Sequence, residues 1–109
     1  MEIISVDGFT GGWFIGDFEP TVLRTKDFEV AFKEHRAGEH WATHYHQLSD
    51  EINYLISGEM EINDIKLVGP VVFRINKGEI SRPVFITDVK LIVVKVPSIP
   101  GDKHEIQPP

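Results

Sequence analysis

Gly38-Glu-His-Trp-Ala-Thr-His-Tyr-His-Gln-Leu-Ser-Asp-Glu-Ile-Asn-Tyr-Leu-Ile-Ser-Gly58 concentrates the chemistry of this chain. Three of the chain's five histidines fall here, and His44 and His46 stand two apart. On an extended strand, residues i and i+2 share a face with Cα atoms roughly 6–7 Å apart, so two imidazoles there converge on one point. Glu51 follows the polar break Gln47-Leu-Ser-Asp50. A turn at that break starts a returning strand beside the histidines and brings the carboxylate to the same face. Two neutral imidazoles and one carboxylate form the facial set that holds Fe(II), Mn(II), Ni(II) or Zn(II), with positions left for water or substrate. His44, His46 and Glu51 are therefore the expected ligands of a divalent metal ion.

Outward from this stretch, turn signals recur every ten residues or so: Asp7-Gly8, Gly11-Gly12, Gly16-Asp17, Asn63-Asp64, Gly69-Pro70, Lys77-Gly78 and Thr87-Asp88. Between them lie short runs rich in β-branched and aromatic residues, at 28–32, 52–56, 65–68, 71–75, 83–86 and 89–96. Short strands at this spacing predict an all-β sandwich or barrel. No stretch carries the apolar stripe of a long helix. In the run 28–32 the alternation predicts Phe28, Val30 and Phe32 on the core, with Glu29, Lys33 and His35 in water. The segment from residue 97 is proline-containing and reads as an extended or frayed end.

The 109 residues make one domain, with a motif-bearing barrel over about 28–96 and a C-terminal tail over 97–109. The chain has no cysteine, which excludes disulfides, thiolate metal sites and a thiol nucleophile. Its formal charge of -6 argues against wrapping nucleic acid or anionic lipid, both of which require clustered Lys and Arg. The longest apolar stretch near the end, 91–94, is far too short for a bilayer, and Glu2 stands where a signal peptide carries positive charge. These features predict a cytoplasmic protein without a nucleic-acid or membrane partner.

With Gly38, His44-x-His46, Glu51 and Gly58 at these intervals, the stretch resembles the first motif of the cupin superfamily, every position being filled. A weaker second motif follows. Gly69 opens it, Asn76-Lys77-Gly78 stands in for its proline-containing turn, and Ser81 occupies the position of its histidine. The closing Val94-Lys95-Val96-Pro97-Ser98-Ile99-Pro100-Gly101-Asp102 is similar to the tails of small stand-alone cupins. The resemblance implies a double-stranded β-helix, that is, a jelly-roll barrel with its pocket inside. It also implies a metal site with one imidazole fewer than the family's usual set of three histidines and one carboxylate.

Further residues are expected around that pocket. Asn53 follows Glu51 by two and shares its inward face, where a polar side chain requires a partner. Ser81 is read as pocket lining, Phe85 and Phe73 as wall, Trp41 as a lid, and Arg74 as a contact for an anionic substrate. His40 and His104 are read as surface residues. Inward Glu51 places Ile52, Tyr54 and Ile56 on the outer face, an apolar patch that predicts a homodimer. The competing cover is the N-terminal segment 3–18 of the same chain.

The functional expectation is a divalent-metal cupin acting on a small polar molecule, sugar- or carboxylate-like, by oxygenation, isomerisation or elimination. A small-molecule binding or sensor module without turnover uses the same pocket. A metal-free sugar-nucleotide epimerase is the third reading, opposed by the scarcity of inward Arg and Lys.

Overall fold

The computed structural model describes residues 1–106. Two short 3-10 turns, Val6–Gly8 and Thr10–Gly12, lead into the strands β1 (Trp13–Ile15), β2 (Glu29–His35), β3 (His44–His46), β4 (Asp50–Ser57), β5 (Glu59–Ile62), β6 (Ile65–Val68), β7 (Val71–Ile75), β8 (Pro83–Phe85), β9 (Val89–Val96) and β10 (Lys103–Glu105). One sheet has the order β1-β2-β9-β4-β7, a second β6-β5-β8, and β10 pairs with β3. All of these pairings are antiparallel. No helix among the described residues is long and apolar enough to cross a membrane.

The core lies between the two larger sheets. Ala31, Leu55, Leu91 and Val93 come from the five-stranded sheet, and Met60, Ile62 and Phe85 face them from the three-stranded one. The chain crosses between sheets at Gly58, where β4 ends in an irregular register. Its φ is +98°, and an added Cβ would lie 2.2 Å from the Asp88 carbonyl oxygen. Only glycine combines that backbone conformation with that approach.

Inner-face rows run across the five-stranded sheet in register. Glu29, Lys95 and Glu51 form one row; Ala31, Val93, Asn53 and Phe73 form the next; Lys33, Leu91, Leu55 and Val71 form the third. Charged side chains thus enter the interior in the first row and, through Lys33, again in the third. This corrects the expected facing of β2. Glu29, Ala31, Lys33 and His35 point inward, whereas Phe32 is exposed. Alternation alone identifies two faces, and an apolar-in rule picks the wrong one when a barrel lines its cavity with polar groups.

Two further expectations are resolved. The segment after residue 97 is extended rather than frayed over its described part, because β10 pairs with β3, Lys103 opposite His46 and Glu105 opposite His44. Asp102 anchors it. Its carboxylate accepts hydrogen bonds from the backbone N–H groups of Gln47 (3.2 Å), Leu48 (3.0 Å) and Ser49 (2.9 Å). These bonds offset the cost of its burial and hold the Asp102 carboxyl below the usual range. The N-terminal segment packs as β1 along the edge of β2, and Ile52, Tyr54 and Ile56 remain exposed.

Candidate functional site

β3 is fixed along both edges. On one side it pairs with β10. On the other, His44 and Ser81 exchange backbone hydrogen bonds of 3.0 and 2.7 Å, and Gly78 N–H donates to the His46 carbonyl at 2.6 Å. The turn of the weaker second motif is therefore what seats the histidine strand. Both imidazoles are buried and point inward, with ring centroids 5.4 Å apart.

Glu51 reaches them from β4. Its Oε1 lies 3.4 Å from His46 Nε2, and its Oε2 accepts a hydrogen bond from Asn53 Nδ2 at 2.9 Å. Burial works against the Glu51 charge. The contacts to His46 and Asn53, with Lys95 nearby, outweigh it and hold the carboxyl below its ordinary range. The Asn53 amide thus finds its expected polar partner in the carboxylate itself.

His44 Nδ1 lies 2.9 Å from the Ala42 carbonyl, an acceptor that fixes the proton on Nδ1 and turns the Nε2 lone pair to the cavity. Burial lowers the pKa of His44 and favours the neutral, ligating form. His46 Nδ1 is buried without a hydrogen-bond partner. A donor set of two imidazoles and an ionised carboxylate suits a divalent ion in kind. Among the described residues, no three His, Asp or Glu side chains stand in ligating geometry around one point.

The cavity has a volume of about 160 Å³. His44, His46, Glu51, Asn53, Ser81, Phe85 and Trp41 all line it. Arg74 does not. It lies opposite Ile52 on the outer face of the sheet and binds Asp50 at 3.0 Å, because its parity on β7 is opposite to that of Phe73. Phe73 is in the lining.

The structure adds residues that the sequence reading left in solvent. His35 stacks on Phe85 with centroids 4.1 Å apart and meets Trp41 edge-on at 5.3 Å. Its Nδ1 contacts Glu39 at 3.0 Å, yet burial dominates and lowers its pKa. Lys33, Lys95 and Lys103 also line the cavity, so inward cations are not scarce. Lys33 Nζ lies 5.2 Å from the Trp13 ring and 5.7 Å from Trp41; Lys95 Nζ lies 5.1 Å from Trp13; Lys103 Nζ lies 4.1 Å from Trp41. Burial, then mutual repulsion with Lys95 and Lys103, lowers the Lys33 pKa; burial likewise lowers that of Lys103. The available signal was register: Lys33 lies two residues from Ala31 and Lys95 two from Val93, both core positions.

No protein-family model matches the sequence, and no curated protein does. Solved structures do. An uncharacterised conserved protein with a double-stranded beta-helix domain from Klebsiella pneumoniae subsp. pneumoniae MGH 78578 aligns at TM-score 0.69 and 22% identity, over 97% of this chain and 92% of that one. A cupin-2 domain containing protein from Shewanella frigidimarina NCIMB 400 aligns at TM-score 0.56 and 18% identity, over 66% and 72%. The chain has the cupin fold. The cupin fold also joins it to an acetylacetone dioxygenase from Acinetobacter johnsonii, at TM-score 0.60 and 17% identity, over 75% of this chain and 61% of that one. The stretch that resembles the first cupin motif lies on β3 and the start of β4, and Ser81 pairs with His44.

Proposed function

We propose that this chain is a divalent-metal cupin acting on a small polar molecule, sugar- or carboxylate-like, by oxygenation, isomerisation or elimination. The observation that carries the reading is the meeting of His44, His46 and Glu51 in one cavity, the two histidines on a strand held along both edges. His44 and His46 would hold the ion with Glu51. The ion would be Fe, Mn, Ni or Zn, and when bound it supplies a Lewis acid for a carbonyl or water oxygen, or a binding position for O2. The chain's own residues prepare that site. The Ala42 carbonyl orients His44, Asn53 holds one Glu51 oxygen, and the His35–Phe85 stack with Trp41 forms one wall of the cavity.

A second reading, binding or sensing without turnover, is favoured by one specific contact. His46 Nε2 and Glu51 Oε1 already face each other at 3.4 Å, so these two groups have a partner without an ion. The inward lysines remove one objection to a sugar-nucleotide substrate. The cavity, about 160 Å³, favours a smaller molecule.

Metal analysis of protein purified without a His tag tests the reading. Near-stoichiometric metal that His44→Ala/His46→Ala loses supports it. Substoichiometric metal, with ligand binding indifferent to chelation, moves the assignment to the binding module.

A further inference from the structure

Lys33, Lys95 and Lys103 reach the cavity from three strands, β2, β9 and β10. Among the described residues Glu51 is the one carboxylate in the lining; Glu29 lies beside Lys95 in the inner row, which leaves Lys33 and Lys103 as the cations without a carboxylate of their own in the cavity. None of the three lysines forms a salt bridge among the described residues. Their charges rest on indole faces instead, Lys33 and Lys95 on Trp13, Lys33 and Lys103 on Trp41. Like charges gathered partly out of water cost free energy until a counter-charge arrives, and a focused positive cavity draws one in.

Beside the lysines the same lining is apolar, with Met60, Ile62, Phe73 and Leu91, the last directly opposite Lys33 across the strands. An inorganic anion matches the lysines and leaves this apolar lining uncovered. A short organic acid matches both. We propose that the cavity binds a small organic carboxylate, its anionic end held by Lys33 and Lys103 between Trp13 and Trp41, its carbon skeleton over the apolar lining towards His44 and His46. The inference rests on the reading that the cavity takes a small molecule, and it adds the charge and orientation of that molecule.

Trp13 and Trp41 are the chain's two tryptophans, so intrinsic fluorescence reports directly on the lysines that cover them. Chelator-treated protein is titrated at constant ionic strength with malonate and succinate, with their uncharged diamides, and with phosphate and chloride. A saturable change is expected with the acids, and binding weaker by about tenfold or more with the amides. Lys33→Met and Lys103→Met should each weaken acid binding about tenfold, and Lys33→Arg/Lys103→Arg should restore most of it. Amides binding as tightly as the acids would overturn the proposal. So would phosphate or chloride matching succinate, or a Lys33→Met/Lys103→Met protein that binds like the parent. Metal uptake, measured separately on the same lysine variants, should be undiminished. Loss of acid binding in chelated parent protein therefore counts against the carboxylate alone, and loss of metal only in the histidine variants bears on the ion alone.

Discussion

Replacing His44 and His46 together by alanine removes both imidazoles while leaving the backbone bonds that hold β3. Metal uptake should vanish while the β-type circular dichroism spectrum persists, and retained stoichiometric metal would remove both residues from the site. In the parent protein, uptake should weaken as pH falls below about 6.5, because only neutral imidazole ligates and burial holds the His44 pKa under that value. Ser81→His tests the altered second motif. Ser81 forms a hydrogen-bonded pair with His44, a spacing of roughly 5.5 Å between Cα atoms, so the new imidazole arises beside the existing ones and should tighten metal binding measurably. An unchanged dissociation constant would show that position 81 does not address the ion. Gly58→Ala meets both a strained φ and the Asp88 carbonyl, and should cost about 2 kcal/mol or more in urea unfolding. His44, His46, Glu51 and Asn53 were legible from spacing because their strand parity was unambiguous. Arg74 was not, since charge suggested a pocket role and register sends it outward.

At the scale of elements, β2 and β10 carry what the sequence concealed. The residues of β2 alternate cleanly, but its polar set is the inner one, so His35 and Lys33 belong to the cavity. Burial is the larger influence on His35 and holds its folded pKa below the unfolded value of about 6.5. The unfolded chain therefore binds the proton more readily. The stability contributed by neutral His35 is present above pH ~6.5 and declines as pH falls below it. Chemical denaturation of metal-free protein between pH 8 and 5 should show the decline, and His35→Gln should reduce its slope; an unchanged slope would place His35 outside the interior. β10 was concealed because three residues, Lys103–Glu105, carry too little pattern to read. Asp102 does the anchoring through three backbone donors, and Asp102→Ala leaves them without it. A loss of about 2–3 kcal/mol is expected, together with altered Trp41 fluorescence as Lys103 shifts.

For the molecule as a whole, the outer face of the five-stranded sheet is the open question that the sequence posed and the fold sharpens. Phe32, Ile92, Tyr54 and Val72 form one cross-strand row, with Tyr54 45% and Val72 57% exposed. Ile52 and Ile56 extend the same patch along β4. Of the segment 3–18, which would have covered it from within, Trp13–Ile15 pairs along the β2 edge and Ile4, Val6 and Phe9 gather near Phe32, leaving Ile52, Tyr54 and Ile56 exposed. We propose that a second copy covers it in a two-fold dimer, since an isologous contact matches this apolar row to itself. Sedimentation at micromolar concentration should give twice the 12.4 kDa chain mass, and Tyr54→Glu should yield soluble monomers. A monomeric parent protein would refute it. The barrel class was readable because its turn residues are frequent and its runs short. The closure of the barrel by the last described strand was not, because that contact joins segments with no shared local signal.

The position of β9 has a consequence in time. β2 and β4 do not pair with each other; β9 lies between them, joined to both along most of its length. During synthesis, residues 29–57 emerge well before 89–96, so two strand edges wait unpaired for the piece that joins them. Folding of the main sheet is then a late, all-together event governed by long-range pairing, and on the slow side for a chain of this size. A chain arrested at Thr87 should show little protection of β2 and β4 amides from hydrogen exchange. Release of the next ten or so residues should protect both strands at once.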